Sequence, residues 1–164
     1  MTIPASVSNY LAQHGVDYRV LVHPVAYTAQ EEAALTHVPG REWAKAVVCI
    51  VDNEPVLAVL PAHCHANRGQ LQAALGAKSA RLAHEEELEP LYADCEVGAM
   101  PPLGPLYGQR VVVDKSLASR EEVVFNAGSH REAIRMRFSD FARLVNPTVA
   151  EFAETARPHP DRAH

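Results

Sequence analysis

Hydrophobic and polar positions alternate along this chain in two registers, and the switches between them mark most of the elements. Val7, Tyr10 and Leu11 recur at helical spacing with Gly15 placed to cap, which predicts a helix over 4–14. Val16, Tyr18, Val20 and Val22 then take every second position, the period of a half-buried strand over 16–22 that Pro24 ends. Thr28 and Glu31 have the spacing of a capping box, in which a hydroxyl and a carboxylate satisfy orphan amides, so a short helix is expected over 29–37. Residues 43–51 are apolar except for Lys45, and 56–60 are apolar throughout. With the turn at 52–55 between them they predict a hairpin.

Farther along, Asn67 can cap a helix carrying Leu71, Ala74 and Leu75, followed by a short strand over 79–83 and an acidic helix over 84–88. Residues 97–108 hold three glycines and three prolines, a composition that excludes the interior of any regular element and predicts an apolar, stiff loop. Short branched runs at 110–114, 122–126 and 133–137 predict strands, and a helix starts at Ser139 or Asp140 and runs through Leu144. Asn146 before Pro147 has the form of a cap with proline at the first helical position, which predicts a last helix ending near Thr155. Residues 156–164, with Pro158 and Pro160, have the composition of a mobile tail. Several strand pairs are joined by turns too short for a parallel crossover, so the expected fold is mixed α/β, a mixed sheet with helices around it.

Composition narrows this reading. At 164 residues, 48% hydrophobic and 21% charged, the chain suits one globular domain, expected over 1–155, and excludes bulk disorder. Fifteen Lys and Arg against 20 Asp and Glu give a net charge of −5, so any nucleic-acid contact needs a local basic patch. Three scattered cysteines, Cys49, Cys64 and Cys95, make neither a disulfide framework nor a zinc signature, and a reducing, cytoplasmic setting is expected. No apolar run approaches the roughly 18 residues of a membrane span, and no signal-peptide pattern opens the chain.

Candidate chemistry begins with an absence: the sequence has no Gly-x-Ser-x-Gly elbow, no phosphate loop and no His-Glu-x-x-His. Lys45 is the sharpest anomaly, because alternation puts it on one strand face with Trp43, Val47 and Cys49. Such an ammonium either reaches an edge or faces a cleft that holds an anion. His63-Cys64-His65 has metal-ligating residue types, but one intervening residue and no second motif do not complete a tetrahedron, and no metal or other cofactor is expected. The 126–130 segment joins two strands as a turn whose small residues allow close approach to the backbone, leaving His130 as turn decoration or cleft donor.

Taken together, the runs Ala26-Tyr27-Thr28-Ala29-Gln30-Glu31-Glu32-Ala33, Ala44-Lys45-Ala46-Val47-Val48, Leu57-Ala58-Val59-Leu60-Pro61-Ala62, Gly98-Ala99-Met100-Pro101-Pro102-Leu103-Gly104, Val112-Val113-Asp114 and Asn126-Ala127-Gly128-Ser129-His130 carry a resemblance. In order and spacing over about residues 20 to 145, the chain resembles the YbaK and prolyl-tRNA-synthetase-associated editing family. The resemblance implies a curved, partly barrel-like mixed sheet surrounded by short helices, and hydrolysis of mischarged aminoacyl-tRNA in trans. It maps the family's lysine onto Lys45 as the catalytic residue, and its substrate pocket onto Gly98, Ala99, Met100, Pro101, Pro102, Gly128 and His130. It implies a mischarged tRNA as partner, with a synthetase as a possible recruiter, and a small residue such as alanine on a prolyl tRNA as the first substrate to test. An activated ester needs only an oriented water and a stabilised oxyanion, which agrees with the missing triad. The competing readings are a non-catalytic tRNA- or aminoacyl-binding module on the same fold and, less well supported, a metal- or cysteine-dependent hydrolase.

Overall fold

Helix α1 (Ala5–Gln13) buries Val7 and Leu11 and leads through Gly15, at φ 60°, into strand β1 (Tyr18–Val22). Thr28 caps α2 (Ala29–Thr36) by accepting the Glu31 amide at 3.1 Å, and His37 ends it in the left-handed region. The hairpin is β2 (Ala44–Val51) and β3 (Glu54–Pro61), turned by Asp52 and Asn53 at φ 48° and 69°. After it come β4 (Cys64–Ala66), α3 (Arg68–Ala74), β5 (Ala80–Leu82) and α4 (Glu85–Leu91). A 3-10 turn at Gly104–Tyr107 closes the proline-rich loop before β6 (Arg110–Asp114), α5 (Lys115–Ala118), β7 (Glu122–Ser129), β8 (Glu132–Arg137) and α6 (Phe138–Val145). Two short strands, β9 (Thr148–Ala150) and β10 (Ala153–Thr155), end the segment that this computed structural model describes, residues 3–155.

The expected last helix is therefore absent among the described residues. Asn146 adopts φ 45° and gives its amide to Ala142, so it ends α6 instead of starting a new helix. Beyond it, β9 pairs in parallel with β6, and Phe152 is fully buried, so tertiary pairing and one aromatic anchor override a local helix signal. The tail expected over 156–164 lies outside the described residues.

Five strands form a mixed sheet in the order β5-β2-β3-β6-β9, with β2 antiparallel to both neighbours and β6 parallel to β3 and β9. A second sheet, β1-β8-β7, is antiparallel and meets the first through the parallel bridge between Trp43 and Val124. The sheet is thus curved and mixed but not a closed barrel. Its inner face carries the main core, where Ala44, Val48, Leu57, Val59, Val111 and Val113 pack against Phe125, Ile134 and Phe141. Its other face carries a second core of Cys49, Val56, Ala58, Leu60, Val112 and Phe152. Period-two alternation along β2, β3 and β6 assigns each residue to one core or the other.

Candidate active site

The segment expected as a turn over 126–130 is in fact the bulged end of β7, which runs through Ser129 and leaves only His130 and Arg131 to turn the chain. This Gly128–His130 stretch meets the proline-rich loop, 30 residues away in sequence. The Gly128 amide donates to the Ala99 carbonyl at 2.9 Å, and the Glu96 amide donates to the Gly128 carbonyl at 2.8 Å. Only glycine suits this contact: Gly128 has φ 104°, and a β-carbon there would lie 2.8 Å from Pro4 Cγ. A bulge between Asn126 and Ser129 swings the strand end so that His130 faces Gly98. A β-carbon on Gly98, itself at φ 87°, would come within 3.5 Å of His130 Cε1.

His130 is 6% exposed, and its ring stands between the loop and Tyr27, whose own ring is 73% exposed at a centroid distance of 5.0 Å. His130 Nε2 lies 2.9 Å from the Val97 carbonyl. A carbonyl only accepts, so Nε2 carries a hydrogen toward it, and the Glu96 carboxylate stands 3.9 Å from the same nitrogen. The ring's Nδ1 is buried and has no hydrogen-bond partner among the described residues. Ala99, Met100, Pro101 and Pro102 are buried, while Gly98 is exposed at the rim. The carbonyls of Gly98, Met100, Pro101 and Pro102 take part in none of the backbone hydrogen bonds formed outside regular elements.

Lys45 sits elsewhere on the frame, on β2 opposite Leu60 and on the sheet face of the second core. It is half-buried and belongs to no ion pair among the described residues. Burial lowers its ammonium pKa, opposed by the nearby Cys64 thiol. Cys64 is in turn raised by burial and by Asp114, which follows Val113 on β6 across from the end of β3. The structure therefore joins the 98–102 loop to the 128–130 segment directly, and gives Lys45 a separate set of neighbours around Cys64 and Asp114.

A third cluster escaped the sequence reading. Glu32 on α2 is 1% exposed, accepts from Asn126 Nδ2 at 3.1 Å and lies 3.5 Å from His23 Nε2. Burial pushes its carboxyl up to about 8, with the Asn126 bond opposing and Glu31 adding to the rise. His23 Nδ1 bonds the Pro24 carbonyl at 2.7 Å, leaving Nε2 as the natural acceptor for a protonated Glu32. The same segment is tied to the turn by His23 N to Arg131 O and Ala26 N to His130 O, at 2.8 and 3.2 Å. Helical spacing from Ala29 and Ala33 was the available signal, since it turns Glu32, not the capping Glu31, toward the core.

Among the described residues no group of three His, Cys, Asp or Glu could hold a metal ion. His63 and His65 are exposed on either side of buried Cys64. The cysteines are not activated: burial pushes Cys49 up to about 11 and Cys95 up to about 12.

Lys45, the loop and the 128–130 segment all fall within the span that matches a known domain. The family "Aminoacyl-tRNA editing domain" matches residues 23–144, three-quarters of the chain. The chain belongs to this family. The Escherichia coli K12 protein named multifunctional Ser/Thr-tRNA deacylase ProXp-y is 32% identical over 151 residues, covering 89% of this chain and 90% of that one. A proline–tRNA ligase of Anaeromyxobacter sp. (strain K) is 35% identical over 123 residues, covering 75% of this chain but 21% of the ligase, so the editing domain spans about a fifth of that relative. Among solved structures, the hypothetical protein APE2540 superposes with a TM-score of 0.81 over 91% of this chain and 99% of its own, at 24% identity. These superpositions support the YbaK-like fold expected from the sequence. No helix among the described residues is long and apolar enough to cross a membrane.

Proposed function

We propose that this editing-family protein hydrolyses the ester of a tRNA mischarged with a small amino acid, in trans. The observation that carries the reading is the corner where the 98–102 loop meets the 128–130 segment. It is fixed by backbone hydrogen bonds and has loop carbonyls, unused in backbone hydrogen bonds outside regular elements, for a substrate ammonium. We assign a small side chain to it because Gly98 and His130 stand close enough that a β-carbon on Gly98 would already be in van der Waals contact with the ring. A pocket excludes larger residues by steric contact far better than it detects a missing methylene, worth about 1–3 kcal/mol.

In the reaction, water adds to the ester carbonyl, the resulting oxyanion collapses, and the bond to the ribose oxygen breaks. That oxygen takes the proton which the attacking water gives up, so free amino acid and uncharged tRNA result. Lys45 serves as the cation for the terminal phosphate or the developing oxyanion, a role that suits a half-buried ammonium with no carboxylate partner among the described residues. Alanine on a prolyl tRNA is one substrate for this corner. Serine and threonine, named for the Escherichia coli relative, are others. Deacylation by the purified protein of alanyl-, seryl- and threonyl-tRNA, including mischarged tRNA-Pro, tests the assignment. Hydrolysis of at least one substrate well above its spontaneous rate is expected. Binding of these tRNAs without turnover would replace this reading with that of a binding module.

A further inference from the structure

Apart from the loop-and-turn corner, the molecule has an open cleft of about 640 Å³ beyond Cys64, between the end of β3, α3, α5 and the last two strands. Arg41, His63, Lys115 and Arg120 line it, and all four are exposed. Arg41 and Arg120 belong to no ion pair among the described residues, and Lys115 meets Glu151 only at 3.9 Å in an exposed pair. The remaining acid, Asp114, is spent on the protein itself. Its Oδ1 accepts from the Phe152 and Ala153 amides at 2.9 Å each, and its Oδ2 accepts from the Ser116 amide and hydroxyl. In a chain of net charge −5, the cleft thus gathers Arg41, Lys115 and Arg120 against two acids, Asp114, which is turned inward, and Glu151, which is exposed beside Lys115.

We infer that this cleft is the surface that holds the phosphodiester backbone of the RNA substrate, with Arg41 and Arg120 as its principal phosphate contacts. The inference rests on the editing reading for the identity of the RNA, and it supplies what that reading lacks, a place for the nucleic acid on an acidic protein. Guanidinium forks match phosphate geometry, and the Ser116 and Ser119 hydroxyls on the same wall can donate to the same oxygens. The cleft also lies beside the proposed catalytic cation. Pro61 lines it, and Pro61 pairs with Ala44, the residue beside Lys45 on β2. RNA seated on the two arginines would therefore have an end within reach of the β2 strand that carries Lys45.

The test is equilibrium binding of uncharged tRNA, followed by fluorescence anisotropy at several salt concentrations. It compares wild type with the double variant Arg41→Ala/Arg120→Ala and with Arg19→Ala/Lys78→Ala, which removes the same charge from exposed positions outside the cleft. Losing two phosphate contacts should flatten the slope of log affinity against log salt by about 1.4 to 1.8, with roughly tenfold weaker binding at low salt. The control should stay within twofold of wild type. Equal behaviour of the cleft variant and wild type, or equal losses in both double variants, would overturn the inference. Because the ligand is uncharged tRNA, the result is independent of turnover. A wild-type protein that binds through the cleft yet deacylates nothing sinks the editing reading alone.

Discussion

At the corner of the 98–102 loop and the 128–130 segment, backbone groups are bonded to one another and His130 is 94% out of solvent, whereas in the cleft beyond Cys64 two exposed guanidiniums belong to no ion pair among the described residues. The first region is built for shape. On the proposed reading its recognition is short-ranged and little affected by salt, because its groups are fixed dipoles acting at hydrogen-bond distance. The second is built for charge, acts over about a Debye length and weakens as salt rises. An enzyme that must recognise a small acyl group on a large polyanion needs both. The difference implies that substitutions in the corner change which amino acid is removed, while substitutions in the cleft change how tightly the tRNA is held.

Lys45 lies in neither region, but as the proposed cation at the ester its removal should have the largest effect. Lys45→Ala is expected to fold, since it deletes a half-buried charge without a carboxylate partner, and to lose about 10²- to 10³-fold in kcat, the usual cost of removing a group that stabilises a developing oxyanion. Lys45→Arg should not restore the rate, because a planar fork does not place charge where a compact ammonium does. Single-turnover deacylation on folded protein decides it. Wild-type rates for Lys45→Ala would remove Lys45 from the site and leave the corner to act without it.

Gly98→Val comes next. The new side chain meets both a φ of 87°, which non-glycine residues adopt at a cost, and His130 Cε1 at 3.5 Å from its first carbon. Deacylation should fall by about tenfold or more, with a melting temperature lowered by several degrees, while tRNA affinity and its salt slope stay unchanged. Loss of tRNA affinity in Gly98→Val would erase the distinction between the two regions.

Much of this frame could be read from the chain, and the failures have identifiable causes. The hairpin of β2 and β3 was legible because apolar runs flank a polar turn, and the capping box at Thr28 because its chemistry is local. The helix expected after Pro147 failed because Asn146 suits either end of a helix, and the parallel pairing of β9 with β6 that decides between them joins residues some 35 apart in sequence. The corner was half legible. Its glycines and His130 stood out as a turn and a loop, but nothing local shows that the Gly128 amide reaches the Ala99 carbonyl. Glu32 was passed over because its neighbour Glu31 accounted for the motif, and its partners His23 and Asn126 come from two other elements.

That buried cluster gives a smaller, pH-dependent effect on the stability of the shape-selective region. Glu32 titrates near 4.5 when free and is pushed up to about 8 in the fold by burial. Between those values the unfolded chain releases this proton while the folded chain keeps it, so stability falls as pH rises through the window and levels off above about 8. Glu32→Gln keeps the shape and the Asn126 bond but has no proton to lose. Its melting temperature relative to wild type should therefore climb by a few degrees from pH 5 to pH 8. A difference that stays flat, or that shrinks with rising pH, would show that Glu32 is ionised in the fold and paired with His23.

The smallest effect is expected at Cys95, the one thiol that touches the corner. Its sulfur lies 3.2 Å from the Tyr107 hydroxyl and 3.5 Å from where a Gly128 β-carbon would sit, so position alone would make it the natural nucleophile for a covalent mechanism. Its chemistry argues otherwise. Burial pushes the thiol up to about 12, and the Asp94 carboxylate alongside disfavours a second negative charge, so almost no thiolate exists near neutral pH. Serine preserves the size and can take over the contact with Tyr107. Cys95→Ser should keep kcat/KM within twofold on every substrate that the wild type accepts. A folded Cys95→Ser protein that has lost turnover would mean that the corner performs covalent chemistry, and that its role is not limited to shape and dipoles.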